Sequence, residues 1–546
     1  MRPRFILLLA AALCAVSCLE ENAELGSNLL PIEQTFSIHP VCEQMGDIIS
    51  LQTADSLSGF SQTRIVLGAI RDARFGLTTR SSAFTLLPMF DSLGIGNRDA
   101  VQIKEFSFTA KLDTISVAEA GQEHILQSVE VYALSEPLDE KKDFDCNGAF
   151  SKVDFSRKIA QGNPVLDGER DLEFRFTDAY AKLMLGLTRE ELQDSAKYFR
   201  KVPGIFMRTD KPLGRGGRIN LLELQMGYNS TSAYIENNYA TLKLACDYDN
   251  DGIPEKDTTF YFLFGMHHFM DLDSLVTNST KGQYPQYALN LTGQEEKTFD
   301  AQKELVVEGG GGLKPVVSAK GLIALASRLI AEKGGNPQNT VINKATLVFP
   351  FTFPADYRDM ARYPACLSPT CRMHQSNGTI LYASLTDASS SEENQGDINR
   401  STLRYEPDIT YHLQALLKIR EDDPADAAKR EKLEKGEYDI WFLVMSKEEV
   451  STSSGTSDLS EYYQYLAYQS YYNNMYGGYG GGYGGGYNDT YSNYYTYMMM
   501  AQYAAGSTTT SYNKVLDRDR FYGAVLHGWG HDMGPYLKLT FSLPKD

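Results

Sequence analysis

Alternating carboxylates around one glycine form the most chemically specific pattern in this sequence. They lie in Asp247-Tyr-Asp249-Asn-Asp251-Gly252, between two apolar segments. This spacing lets side-chain oxygens surround a hard cation, and calcium prefers oxygen ligands. The five predicted calcium ligands are Asp247, Asp249, Asp251, Glu255 and Asp257. Position 12 of the loop is Thr258 instead of the glutamate of an EF-hand, so a polar hairpin turn is the alternative, since Asn-Asp-Gly is common in turns.

Cys18 is the second reactive position. It follows two arginines and the apolar residues 5–16, at the end of the sequence Ala-Val-Ser-Cys. An apolar run of this length suits a signal peptide and is too short for a membrane-spanning helix, which needs ~20 residues. Residues 1–17 are therefore predicted to be a lipoprotein signal peptide, and Cys18 is predicted to carry the lipid. The alternative is a soluble secreted protein in which Cys18 has no special role.

An acidic pair, Glu20 and Glu21, lies close behind Cys18. It resembles the export signal that sends Bacteroidetes lipoproteins to the outer face of the outer membrane. The alternative is an ordinary solvated tether. We predict an outer-membrane location facing the cell exterior, with residues 18–45 as a lipidated tether.

The other cysteines of the exported chain are candidates for disulfides, because export permits them. Cys366 and Cys371 close a short loop and are the predicted disulfide pair. The remaining cysteines do not have the spacing of zinc ligands. They are Cys42, Cys146 and Cys246.

Catalytic patterns are missing from the sequence. The pair His267-His268 and the pair His527 and His531 could each ligate a metal, but neither has a matching third ligand, so a structural role is predicted. The sequence contains no Gly-x-Ser-x-Gly elbow and no His-Glu-x-x-His. Paired acids for glycoside hydrolysis cannot be assigned among 70 acidic residues. We predict no catalytic residues and no enzyme activity.

Six Asp-Ser or Asp-Thr pairs resemble the O-glycosylation acceptors of exported Bacteroidetes proteins. Some such pairs arise by chance in a chain of this composition, so only a few are expected to be used. The candidate acceptors are Ser56, Ser92, Thr114, Ser195, Thr258 and Ser274.

The charge balance argues against nucleic acid as a partner. The chain has a formal net charge of −18, and loss of the two arginines in residues 1–17 would bring it to about −20. Binding to phosphates requires clustered lysine and arginine.

A tyrosine- and glycine-rich segment interrupts the second half of the chain. Residues 462–503 contain 15 tyrosines, and in part of this segment glycines alone separate Tyr476, Tyr479, Tyr483 and Tyr487. Glycine disfavours packing, whereas tyrosine makes amphipathic contacts, so a partner-binding loop is predicted over residues 456–512. The alternative is a tolerated low-complexity insertion.

The elements that position these residues are mainly strands. Runs of alternating β-branched and aromatic residues recur along both halves, together with a few helical segments such as the one capped by Thr188 and Glu191. We predict an all-β chain with two tandem β-sandwich, jelly-roll-like domains and a few short helices. The first domain is predicted to span residues 46–295 and the second residues 296–546.

Several short motifs, in this order, resemble a family of Bacteroidetes lipoproteins known as domain of unknown function 4270. They are Leu67-Gly-x(6)-Phe75-Gly, Gly204-Ile-Phe-Met, the glycines 310–312, Ile342-Asn-Lys-Ala-Thr-Leu and Tyr405-x-x-Asp-Ile-Thr. The last two are also similar to jelly-roll modules of bacterial surface proteins. The resemblance covers nearly all of the exported chain except the tyrosine- and glycine-rich segment. It implies a surface lipoprotein with a β-sandwich fold and supplies no catalytic residues.

These observations favour a non-catalytic surface lipoprotein that binds or scaffolds a partner. The predicted partner is another outer-membrane protein or an envelope-assembly complex, reached while the lipid on Cys18 holds the protein at the outer membrane. The alternative is a glycan-binding or adhesin lipoprotein, with tyrosines as sugar platforms and a loop stiffened by calcium.

Overall fold

The computed structural model describes residues 36–544, apart from 62–63, 89–92, 120, 140, 225, 230–233, 238, 264–287, 376–379, 391–394 and 452–509. The strands and helices up to residue 294 are β1 (Phe36–Gln44), β2 (Ile49–Thr53), β3 (Phe60–Ser61), β4 (Arg64–Asp72), β5 (Gly76–Phe84), β6 (Leu87–Pro88), β7 (Gln102–Ala110), β8 (Leu112–Val117), β9 (Gln127–Leu134), β10 (Val153–Lys158), β11 (Val165–Leu166), β12 (Leu172–Arg175), α1 (Asp178–Leu185), α2 (Arg189–Gln193), α3 (Ser195–Lys201), β13 (Ile205–Thr209), β14 (Gly216–Glu223), β15 (Met226–Asn229), β16 (Tyr234–Asn237), β17 (Tyr239–Cys246), β18 (Lys256–Leu263) and β19 (Ala288–Gln294).

The elements after residue 294 follow the same mixture of strands and short helices. They are β20 (Glu304–Glu308), β21 (Leu313–Val317), α4 (Ala319–Ala331), β22 (Val341–Pro350), β23 (Cys366–His374), β24 (Ile380–Ser384), α5 (Thr386–Ser390), β25 (Ile398–Asn399), β26 (Arg404–Tyr405), α6 (Thr410–Leu417), α7 (Ala427–Glu434), β27 (Ile440–Ser451), β28 (Thr510–Leu516), β29 (Gly523–His527) and β30 (Tyr536–Pro544). Short 3-10 helices occur at Gly46–Ile48, Tyr357–Arg362 and Pro424–Asp426.

Two sheets of the first half form a β-sandwich. One has the strand order β10-β9-β13-β5-β4-β14-β8, with β19, β3 and β11 attached, and the other has the order β12-β7-β17-β18-β6. Strand β7 shows the alternation that the sequence predicted, because Phe106 and Phe108 are buried while Glu105 and Ser107 between and before them are not. These phenylalanines share one buried apolar cluster with Leu67 of β4 in the facing sheet. The predicted all-β fold is therefore confirmed.

The second pair of sheets combines strands from both ends of the chain. The first of them runs β1-β30-β22-β26-β25 and the second runs β2-β21-β27-β23-β24. The rings of Phe349 on β22 and Phe442 on β27 lie 4.7 Å apart between their centroids, which links the two sheets. Helix α4 begins after Ser318, whose hydroxyl accepts a hydrogen bond from the Gly321 amide.

The first strand corrects the predicted tether. Residues 36–45 were expected to belong to the tether, but Phe36–Gln44 is strand β1, paired antiparallel along its whole length with β30. Strand β2, expected in the first domain, pairs with β21 of the second half. An edge strand has one neighbour, and β1 alternates only between exposed and half-buried positions, so its sequence carries a weak apolar signal.

The chain divides into two compact units whose boundaries differ from those of the predicted domains. One unit comprises Met1–Leu443 with Arg518–Asp546, and the predicted boundary between residues 295 and 296 lies inside it. The other unit is Val444–Asp517. Its described part is a two-stranded antiparallel ribbon in which β27 and β28 pair from Met445 with Leu516 to Ser451 with Thr510. Residues 510–512, predicted to lie in the loop, belong to this ribbon.

The helix predicted after Thr188 is capped as expected but is shorter. The Thr188 hydroxyl accepts from the Glu191 amide while the Glu191 carboxylate accepts from the Thr188 amide, which confirms the capping box. Asp194 then adopts an extended conformation and caps a second short helix, α3. None of the helices in the described part of the chain combines the length and the apolar composition needed to cross a bilayer.

Candidate calcium loop and surrounding polar clusters

The predicted calcium loop connects strands β17 and β18 at one end of their sheet. The two strands are in register from Ala240 with Phe262 to Cys246 with Lys256, so residues 247–255 form the hairpin connection. Asn250 and Gly252 both have positive φ angles, of 62° and 87°. Both residue types tolerate this left-handed conformation, which explains why the turn sequence and the cation-binding sequence look alike.

Three of the five predicted ligands come together in this loop. One carboxylate oxygen from each of Asp247, Asp249 and Asp251 lies within 4.8 Å of the other two. Asp247 is buried, whereas Asp249 and Asp251 are exposed. The arrangement therefore presents a fixed inner carboxylate and two outer ones.

Asp247 is held by neighbours on two segments. Its Oδ2 accepts hydrogen bonds from the Gly252 amide at 2.9 Å and from the Asn97 side-chain amide at 3.1 Å. Burial raises the pKa of Asp247, but the hydrogen bonds from Gly252 and Asn97 outweigh it and leave the pKa below its usual value. The side chain is therefore a carboxylate at neutral pH. Its Oδ1 is buried without a hydrogen-bond partner among the described residues.

Asn97 is a contact that the sequence pattern did not reveal. Its backbone amide donates to the Asp247 carbonyl at 2.8 Å, in addition to the side-chain hydrogen bond, and Gly96 forms an isolated bridge with Asp247. A Cβ on Gly96 would lie 2.0 Å from that carbonyl oxygen, so only glycine permits the close approach. No local spacing signals a partner 150 residues away in the chain.

The prediction of Glu255 and Asp257 as further calcium ligands is not supported by the structure. Neither belongs to the group of converging carboxylates. Asp257 lies in strand β18 opposite Ala245 and forms an ion pair with Lys104. Extended backbone carries each successive residue about 3.3 Å further from the turn, so ligand positions spaced for a compact loop diverge once the strand begins.

The predicted disulfide between Cys366 and Cys371 is wrong. Neither cysteine is in a disulfide, and both are buried in the single strand β23. Residues five apart on an extended strand are separated by about 16 Å, whereas a disulfide needs Cα atoms within ~7 Å. The Cys366 thiol contacts the Gln395 carbonyl oxygen at 3.3 Å instead, and burial raises the pKa of Cys371 to about 12.

The histidines at the C-terminal end have structural contacts, as predicted. The two ring nitrogens of His527 contact the Thr352 hydroxyl at 2.8 Å and the Met533 carbonyl at 2.9 Å. His531 stacks on His527 with ring centroids 4.0 Å apart and accepts from the Met533 amide. These hydrogen bonds occupy both ring nitrogens of His527 and Nδ1 of His531. His267 and His268 lie outside the described residues.

The predicted glycosylation positions fall in different settings. Ser56 has a φ of 56° next to strand β2, Thr114 is half-buried in β8, and Thr258 shares a hydrogen bond with the Tyr248 hydroxyl at 3.0 Å. Ser195 begins helix α3. Several predictions lie outside the described residues: Ser92, Ser274, the lipidated Cys18, and the loop tyrosines Tyr476, Tyr479, Tyr483 and Tyr487.

A buried lysine and backbone carbonyls of the turn at glycines 309–312 form a polar cluster that the sequence did not predict. The Lys314 ammonium donates to three backbone carbonyls, those of Glu308 at 2.6 Å, Gly310 at 3.1 Å and Gly312 at 2.9 Å. Burial lowers the pKa of Lys314 to about 7, against the opposing effect of the Glu308 carboxylate. The lysine thereby closes the turn between β20 and β21 from inside.

The charged residues around one surface cavity are mostly paired. A cavity of about 670 Å³ is lined by residues that include Glu119, Arg215, Asp356, Arg358 and Arg362. Glu119 pairs with Arg215 at 3.1 Å, and Asp356 pairs with Arg358 at 2.8 Å. Arg362 pairs with the buried Asp72 at 2.5 Å. This pairing is typical of charges that fix loops in position.

Comparison with known proteins gives no relative for this chain: no family model, no curated protein and no solved structure matches it. The resemblance to domain of unknown function 4270 stays a prediction.

Proposed function

We propose that this protein is a non-catalytic lipoprotein of the outer membrane that faces the cell exterior and binds a partner there. The partner class is an outer-membrane protein or an envelope-assembly complex. Cys18 would carry the lipid, and the tyrosine- and glycine-rich insertion would supply the partner contacts.

The observation that carries the proposal is the register of strands β27 and β28. Ser451 pairs with Thr510, so the 58 residues between them are attached to the ribbon at two adjacent positions. An insertion attached at this point is compatible with the pairing of β27 and β28. Its spaced tyrosines combine large contact area with a hydroxyl group, which is the composition that binding surfaces favour.

The anchor geometry also supports the proposal. Residues 19–35 separate Cys18 from the first residue of β1, Phe36. At ~3.3–3.6 Å per residue, this segment reaches at most about 60 Å. The two sheet pairs would therefore stay within reach of neighbouring membrane proteins without entering the bilayer.

The ion pairs made by charged residues around the cavity of about 670 Å³ support binding in preference to acid–base catalysis. A general acid or base needs a group within reach of the substrate and with a suitable pKa. Hydrogen bonds from the Phe75 amide and the Arg362 guanidinium outweigh burial and lower the pKa of Asp72. The Arg358 side chain likewise lowers the pKa of Asp356.

The proposal is tested by crosslinking in intact cells, followed by purification of the protein under denaturing conditions. We compare the wild type with a variant in which Tyr476, Tyr479, Tyr483 and Tyr487 are replaced by serine. The matched control replaces Tyr411 and Tyr357, two exposed tyrosines outside the insertion, by serine. Loss of a specific crosslinked outer-membrane protein in the insertion variant alone is the expected result.

Recovery of the wild type as a lone species would overturn the proposal. Binding to a polysaccharide that depends on the four insertion tyrosines would favour the glycan-binding alternative instead. A Cys18→Ala variant tests the anchor separately, because it should leave the outer-membrane fraction while keeping the fold.

A further inference from the structure

We propose that Asp247, Asp249 and Asp251 bind one calcium ion, and that this ion fixes the Asn97 segment to the β17–β18 hairpin. The proposal is independent of the tyrosine-rich insertion and of any partner.

The spacing of the carboxylates fits one calcium ion. Calcium–oxygen distances are 2.3–2.6 Å, so two oxygens on the same ion lie at most about 5 Å apart. The three carboxylates satisfy this limit, with oxygens within 4.8 Å of one another. Magnesium gives up its water reluctantly and is usually bound through one or two carboxylates, so a group of three carboxylates favours calcium.

The buried oxygen of Asp247 is the second observation that points to a ligand. The side chain is 1% exposed, and its Oδ2 already accepts from Gly252 and Asn97. Its Oδ1 has no hydrogen-bond partner among the described residues. A buried ionised oxygen without a partner is costly, and a cation bound by the same carboxylate removes that cost.

Protein cations do not neutralise this loop in the described structure. The nearby lysines are engaged elsewhere, since Lys104 pairs with Asp257 and the Lys256 ammonium lies over the Tyr248 ring at 5.2 Å. Three carboxylates at this distance repel one another unless a cation lies between them. A divalent ion is therefore the natural counter-charge.

The Asn97 contacts determine what the ion would do. Asn97 donates to Asp247 through both its side chain and its backbone. Fixing the Asp247 side chain therefore also fixes the segment around Asn97, which precedes strand β7. Calcium would act as a structural fastening between a loop and a hairpin that are distant in sequence.

The affinity should match an extracellular environment. With three carboxylates and the remaining positions filled by water, the site belongs with extracellular modules, whose Kd values are roughly 10⁻⁴–10⁻³ M. At such a Kd the site fills in millimolar calcium.

Isothermal titration of the full chain with CaCl2 tests the site, with MgCl2 as the competing ion. We expect one calcium ion to bind with a submillimolar to millimolar Kd, and binding to fall at least tenfold in the double variant Asp249→Asn, Asp251→Asn. These two side chains are exposed, so the variant should keep its fold, which circular dichroism checks. The matched control, Glu255→Gln with Asp257→Asn, should bind calcium like the wild type.

Hydrogen exchange with mass spectrometry tests the fastening. Calcium should slow exchange at residues 93–99 in the wild type and in the control but not in the double variant. In Asn97→Ala, calcium should still bind while the protection of residues 93–99 is lost. Absence of calcium binding at 10 mM, or equal binding in the double variant, would overturn the proposal.

Discussion

Two glycine-containing turns of this protein differ in whether their charged side chains have hydrogen-bond partners within the turn. In the β17–β18 turn, three carboxylates converge, and a buried oxygen of Asp247 has no hydrogen-bond partner among the described residues. In the β20–β21 turn, the buried Lys314 ammonium donates to three backbone carbonyls. The first turn has capacity for a ligand, whereas the second supplies its own cation. Charged residues in a turn therefore indicate a binding site only when their hydrogen-bonding capacity is unfilled.

The largest expected effect on stability is at Lys314 in the β20–β21 turn. Lys314→Met should lower the free energy of unfolding by about 3 kcal/mol, because three backbone carbonyls lose their hydrogen-bond donor. Chemical denaturation measures the loss. The control is Lys303→Met, whose side chain is 80% exposed and whose loss should cost about 0.5 kcal/mol or less. Equal stability of Lys314→Met and the wild type would show that the turn does not need its lysine.

The protonation of Lys314 gives the next largest effect. Its pKa is about 7 in the folded protein and 10.5 for an ordinary lysine, so the unfolded chain binds more protons between these values. The free energy of unfolding should therefore rise with pH from about 7 to 10, by up to ~1.4 kcal/mol per pH unit. Denaturation at pH 7, 8 and 9 should show this rise in the wild type relative to Lys314→Met. Parallel curves would contradict the assignment.

A smaller effect is expected at the glycine of the acidic turn. Gly252 has a φ of 87°, and a Cβ there would meet no atom within 4 Å, so only the backbone conformation opposes a side chain. Gly252→Ala should cost about 1 kcal/mol in thermal or chemical unfolding. Gly252→Asn should cost less, since asparagine tolerates this conformation. A larger loss for asparagine than for alanine would show that the turn has other constraints.

The smallest effect distinguishes the two turns most directly. In a buffer with a calcium chelator, Asp249→Asn should change the free energy of unfolding by about 0.5 kcal/mol or less, because the side chain is exposed. Removing one of three like charges could even stabilise the loop. If Asp249→Asn lowered the free energy of unfolding by more than ~1 kcal/mol, Asp249 would stabilise the calcium-free β17–β18 turn, as Lys314 stabilises the β20–β21 turn.

The parts of the fold that were predictable have a local signal. Strand β7 alternates between buried and exposed residues, and the Thr188–Glu191 capping box depends on a spacing of three. Strand β1 lacked such a signal because it is an edge strand with no fully buried face. Cys366 and Cys371 suggested a loop, but their segment is an extended strand, which separates them.

In the candidate site, too, the residues that could be predicted are those with a local sequence signal. The carboxylate spacing identified Asp247, Asp249 and Asp251, since the three lie within one turn. Asn97 was missed because only the folded sheet brings it to Asp247. Lys314 was missed because an isolated lysine in a sequence does not show that its ammonium is buried.

The pairing of β1 with β30 has a practical consequence for labelling experiments. Phe36 lies opposite Pro544, so the chain enters and leaves the described fold at the same corner. If the lipid is on Cys18, an epitope tag after residue 546 would be attached at the same corner as the segment that leads to the lipid. A tag in an internal loop away from this corner would be the better reporter of display at the cell surface, because it is not attached next to that segment.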